Sequence, residues 1–193
     1  MVETVSVRYD FGGADGGAGA THQDIDTLGP PRLKFKLADN ATIDEANPVY
    51  KPVAGGGETF SWWKHIYLYC DDPDGGSISN VKFYNDSGNS YPTGVVVYVS
   101  NVLAHSSTDE TKYEVADTAL TMVANHTQVA TATNVTTYTS TSPLAVTISE
   151  AGAEMNAAGE MSGYIVLQAG VSSTASAQTT AQWQWYFSYD YTP

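Results

Sequence analysis

The chain has 193 residues and a formal net charge of −13, with eight Lys and Arg against 21 Asp and Glu. That length fits one large domain with a sizeable core, and 42% hydrophobic residues with thirteen Tyr and four Trp exclude a disordered chain. The scarcity of bases argues against a nucleic-acid partner. The single cysteine, Cys70, excludes an internal disulfide or a thiolate metal cluster made from this chain alone, and no stretch reaches the roughly 20 apolar residues of a membrane helix.

Residues 1–10 carry acids and alternating polar side chains where an export signal would need a basic start and an apolar run. Val5, Val7 and Tyr9 alternate as a short strand, and residues 11–20 are glycine-rich. Residues 1–30 therefore read as an N-terminal strand and flexible arm, and residues 31–193 as a single domain. Residues 32–37 alternate clearly, with Leu33, Phe35 and Leu37 on one face and Arg32, Lys34 and Lys36 on the other. This predicts a half-buried strand whose basic face either meets an acidic neighbour or is solvated.

After the loop at Gly55, Gly56 and Gly57, residues 59–69 form an aromatic-rich strand that anchors the core. Asp71, Asp72, Pro73, Asp74, Gly75 and Gly76 force a turn into a strand at 79–84, as a hairpin or a sheet crossover. Further strands are predicted at 94–100, 118–130, 134–140, 144–148, 164–168 and 182–191, with a short helix or compact loop at 150–161 limited by Gly152 and Gly159. In the last strand, Trp183, Trp185, Phe187 and Tyr189 alternate with polar-facing positions, so an aromatic face enters the core. Short strands at regular spacing, without a fixed-period repeat, predict an all-β antiparallel sandwich, jelly-roll-like or immunoglobulin-like, with at most one or two short helices.

No lysine or arginine follows Lys112. Sheets alone in water usually guard their edges with charge, lysine above all, so either the fold closes these edges or a neighbouring subunit covers them.

Candidate sites each have a plainer reading. Asp71, Asp72 and Asp74 supply the oxygen chemistry that calcium favours, but Pro73 breaks the ligand spacing of a helix–loop–helix site, and Asp, Pro and Gly are also ordinary turn formers. Trp62, Trp63, Tyr186 and Tyr191 offer flat faces for stacking on sugar rings, or they pack the core. The four histidines, His22, His65, His105 and His126, form no spaced zinc motif. No nucleophile-elbow pattern positions a serine, and neither glycine-rich segment ends in Gly-Lys-Ser/Thr. The sequons at Asn40, Asn85, Asn125 and Asn134 are expected by chance in a chain rich in Asn, Ser and Thr.

The run Gly159-Glu160-Met161-Ser162-Gly163-Tyr164-Ile165-Val166-Leu167-Gln168, the Ser/Thr/Ala link after it and the closing Phe187-Ser188-Tyr189-Asp190-Tyr191 resemble the tail of β-sandwich virion structural proteins of tailed phages and archaeal viruses. Ile78-Ser79-Asn80-Val81-Lys82-Phe83-Tyr84, after an acidic turn, is similar to their middle strands. The resemblance covers about a third of the chain. It implies a capsid-decorating, minor capsid or tail-associated role within a virion. With the composition and the missing catalytic motifs, the expectation is a non-enzymatic protein whose partners are proteins of the same particle and further copies of the chain, without direct nucleic-acid contact or membrane and without cofactor unless calcium binds. A carbohydrate-binding or adhesin-like module, with a glycan as partner and calcium held at Asp71, Asp72 and Asp74, is the alternative. A hydrolase has the least support.

Overall fold

The structure, a computed structural model, describes residues 3–11, 21–25, 33–38, 40, 42, 46–101, 132–148, 154–176 and 182–193. The predicted strand at 118–130 and the residue Arg32 lie outside these. The fold is an all-β sandwich of two antiparallel sheets. The larger contains β1 (Thr4–Phe11), β2 (Thr21–Asp24), β3 (Thr59–Phe60), β4 (Lys64–Asp72), β6 (Val95–Asn101), β7 (Thr133–Asn134) and β10 (Ile165–Val171), in the order β2-β1-β4-β10-β6-β7 with β3 also on β10. The smaller contains β5 (Ser77–Asn85), β8 (Leu144–Ala145), β9 (Glu154–Met155) and β11 (Trp185–Thr192), in the order β11-β5-β8 with β9 on β5. Since β4 and β5 belong to different sheets, the acidic turn between them is a crossover.

Alternation dictates the core. Tyr9, Ile66, Leu68, Val97, Val99, Ile165 and Leu167 of the large sheet are buried against Ile78, Val81, Phe83, Val146, Ile148 and Met155 from the other side. Each fully buried side chain of this size contributes about 1.5–3 kcal/mol. Trp183, Trp185, Phe187, Tyr189 and Tyr191 pack against the same cluster, half-buried. The outer face of the large sheet carries a second core of Trp63, Tyr67, Met161, Tyr164 and Val166, so its central strands are covered on both faces. Beside it, Gly170 allows two rings to lie close over the backbone: a Cβ there would come within 3.0 Å of Tyr98 Cε2 and 3.2 Å of Phe60 Cε1.

Several expectations are corrected. The N-terminal strand is present as expected, pairing with β4 from Thr4 to Asp10, whereas Thr21–Asp24, within the expected arm, pairs with β1 and is built into the sheet. Residues 33–38 make a single bridge, Lys36 to Pro48, in place of a strand. Lys36 is only 1% exposed: its Nζ donates to the Thr42 carbonyl at 2.9 Å, and its own carbonyl accepts from Trp62 N at 3.0 Å. The expected basic outer face therefore does not exist at Lys36, because a long lysine stem can be buried once its ammonium finds a carbonyl. The described part of 150–161 is β9 followed by a turn.

Candidate functional site

The acidic turn is self-satisfied. Asp72 Oδ1 accepts from the Asp74 amide at 2.8 Å, Gly76 N donates to Pro73 O at 2.9 Å, and Asp71 Oδ1 lies 3.5 Å from Arg8. Among the described residues no group of three His, Cys, Asp or Glu gathers for a metal ion, so Asp71, Asp72 and Asp74 do not form the expected calcium site. Local hydrogen bonding by Asp to the turn backbone takes over the role that a cation would play. The turn also holds the end of β11, since Tyr191 Oη donates to Pro73 O at 3.2 Å. A Cβ on Gly76 would collide with the Thr192 carbonyl and approach the Tyr191 ring at 2.7 Å. Gly76→Ala is expected to cost about 1–3 kcal/mol, read as a lower midpoint in urea denaturation.

The four candidate sugar-stacking aromatics do not share a face. Trp63 is 1% exposed within the second core on the large sheet, and Trp62 is half-buried next to it. Tyr191 packs toward the space between the sheets, whereas Tyr186 on the outside of the small sheet is 40% exposed. Tyr186 pairs with Tyr84 across the strands, with centroids 5.4 Å apart, and its hydroxyl donates to Asp86 Oδ2 at 2.8 Å. A platform of all four is thereby excluded, because parity along the strands sends them to different surfaces. Lys34, from the predicted basic face, is half-buried.

A polar cluster that sequence reasoning missed lies on the outer face of the large sheet. Asp10 is fully buried. Its Oδ1 accepts from Tyr67 Oη at 3.0 Å and meets His22 Nδ1 at 2.8 Å, while Oδ2 accepts from Tyr164 Oη at 2.7 Å. Burial pushes the Asp10 carboxyl up to about 6, against the opposing pull of the Tyr164, His22 and Tyr67 contacts. His65, also buried, lies edge-on to Tyr164, and burial reinforced by the Lys64 ammonium drives it down to about 3. Lys64 points to the opposite face, where its Nζ donates to Tyr9 Oη at 2.9 Å. The cluster ties β1, β2, β4 and the lead into β10 together. The sequence signal was available: Asp10 stands between Tyr9 and Phe11 on an aromatic strand, a place where a carboxylate survives only with dedicated partners.

The second missed feature is the border strand β11. Among the described strands it pairs with β5 alone, through seven of its eight residues, and it carries no lysine or arginine. The bulge opposite Tyr189 belongs to β5, where Asn80 takes a φ of 52° and donates to Asp190 Oδ2 at 2.8 Å. The extra residue restores inward parity for Val81 and Phe83 and leaves β11 regular. At the other end, the Asn89 side chain acts as a stand-in strand, its Oδ1 accepting from Gln184 N at 2.9 Å and its Nδ2 donating to Gln184 O at 2.6 Å. The result is a strand anchored at both ends at the border of the described sheet. Among the described residues no helix is long and apolar enough to cross a membrane. No family model, curated protein or solved structure matches the chain.

Proposed function

We propose that the protein is a non-enzymatic structural component of a virion, decorating or cementing a capsid or tail through subunit contacts. The observation that carries this reading is the β11 border: an eight-residue strand without lysine or arginine of its own that, among the described strands, pairs on one side only. An unpaired edge is a ready template for another strand, and strand addition at such an edge draws its affinity from main-chain hydrogen bonds. The composition of the surrounding half supports the same reading. The sequence after Lys112 lacks lysine and arginine, and its last strand is aromatic on alternate positions, while interface cores are depleted in Lys and enriched in Tyr, Trp and Phe. Partners are further copies of the chain and other proteins of the same particle, and the place of action is the assembled particle.

Antibodies raised against the purified chain are expected to label intact virus particles recovered from cells that produce it, seen by immunogold electron microscopy. Particles that remain unlabelled, and that lack the chain by mass spectrometry, would refute the reading.

A further inference from the structure

We infer that β11 pairs with β11 of a second copy of this chain, antiparallel across a two-fold axis through Ser188, joining two small sheets into one. This rests on the reading of the protein as a particle subunit and names the contact that subunit makes.

The backbone phase of β11 shows which groups are on offer. Asp86 N donates to Gln184 O at 3.1 Å, and in an antiparallel pair such bonding positions alternate. Gln184, Tyr186 and Ser188 therefore turn their N–H and C=O groups toward β5, and Trp185 and Phe187 turn theirs outward. The far side of β5 agrees with this phase. Val81 O accepts from Val146 N at 2.9 Å, and Asn85 N donates to Tyr138 O at 3.0 Å, so these residues bond away from β11 while Lys82 and Tyr84 bond toward it. Because the bulge lies on β5, the parity of β11 continues through Tyr189 and Tyr191, whose side chains pack on the core like those of Trp185 and Phe187. The border thus presents the backbone groups of four consecutive alternate residues, spaced as a strand partner requires.

The occupant follows from the register. Only alternate residues can bond across the border, so a two-fold pairing must bring odd positions opposite odd positions. Centring on Asp190 would set two carboxylates face to face, which is destabilising. Centring on Ser188 sets Tyr186 opposite Asp190 on the outer face and Trp185 opposite Tyr191, and Phe187 opposite Tyr189, on the inner face. The small side chain of Ser188 then falls on the axis in a non-hydrogen-bonded pair, where strands approach closest. Aromatic cross-strand pairs are among the stabilising ones, and this pairing extends both aromatic faces. Asp190 is the single charged residue on β11, so the contact brings little charge together despite the net −13 of each chain.

Ser188→Cys tests the register. A non-hydrogen-bonded antiparallel pair has its Cα atoms about 4.5 Å apart, within the roughly 4.4–6.8 Å range that a disulfide spans. Treated with copper phenanthroline in air, which takes up the two electrons and two protons released per disulfide, Ser188→Cys is expected to run chiefly as a dimer on a non-reducing gel. Thr192→Cys, on the same face of the strand but opposite Gln184 in this register, is expected to remain a monomer there. Cys70 does not compete, being buried with its thiol pushed up to about 11. A second variant, Ser188→Glu, places a carboxylate beside Lys82, its partner across the strands, and two carboxylates across the axis. It is expected to keep the wild-type circular dichroism and to halve the mass seen by light scattering. A folded Ser188→Cys that does not cross-link, or a Ser188→Glu of undiminished mass, would overturn the two-fold. If particles carry the chain but Ser188→Cys stays uncross-linked, the two-fold falls and the virion role stands. Cross-linking by a chain that is absent from particles leaves the two-fold standing and removes the virion role.

Discussion

Asp10→Ala is expected to lower the stability of the fold by roughly 2–6 kcal/mol, the cost of taking the acceptor from two buried hydroxyls. Three partners converge on this carboxylate, and alanine leaves the Tyr67 and Tyr164 hydroxyls buried without their acceptor. Each such orphan costs about 1–3 kcal/mol. Asp10→Asn keeps the shape and an accepting oxygen, and the hydroxyls can rotate to suit an amide, so its loss near neutral pH should be much smaller. The two variants also separate packing from titration. The folded pKa of Asp10, about 6, lies above its usual 3.8, so the folded state holds this proton more tightly than the unfolded state. Its contribution is fully present below pH 3.8 and is lost as pH rises through 6. By linkage that is worth about 3 kcal/mol across the window. Urea denaturation should therefore show wild type gaining on Asp10→Asn by about that amount between pH 7 and pH 4. A constant gap between them would show that Asp10 is not a titrating group of the fold.

The fold was legible wherever the chain kept an unbroken period of two. In β11 and the residues leading into it, the alternation of Trp183, Trp185, Phe187 and Tyr189 predicts the inward face that the structure shows. In β5 the same rule finds Val81 and Phe83 but misses Ile78, because the bulge at Asn80 resets the parity between them. A second irregularity breaks the aromatic strand at 59–69: β3 and β4 both pair with β10, but their registers differ by one residue. Ser61 sits at this step, with its amide donating to Ala169 O and its hydroxyl accepting from Ala169 N. Bulges depend on the partner strand, and periodicity within one segment does not reveal them. Residues 33–37 show the reverse failure, where clean alternation arises without a neighbouring strand to make it a ladder. The sites were less legible than the fold. Spacing brought Asp71, Asp72 and Asp74 together on paper, whereas the Asp10 cluster joins residues up to 154 positions apart, and that convergence is a product of topology.

Acidification should expose His65 as the counterweight to Asp10. The imidazole is buried among Trp63 and Tyr164, with ring centroids 6.0 Å and 6.1 Å away, and its pKa falls from 6.5 to about 3. The unfolded chain binds the proton first. Its contribution is therefore present above pH 6.5 and is lost as pH falls toward 3, a change of about 5 kcal/mol by linkage. Between pH 6 and 3.8 the gain from Asp10 offsets much of that loss, so wild-type stability should vary little there and then drop more steeply as pH approaches 3. His65→Phe removes the titrating ring and keeps an aromatic edge for Tyr164. It is expected to unmask the Asp10 trend, becoming more stable as pH falls from 6.5 to 4, in the opposite sense to Asp10→Asn, which should become steadily less stable over the same interval. Thermal denaturation of the three proteins at half-unit pH steps reads both slopes. Parallel profiles for wild type and His65→Phe would mean that the buried imidazole does not govern the acid limb. Crossing profiles would place the balance of the large sheet on two side chains that occupy one face, Asp10 from β1 and His65 from the strand paired with it at that position.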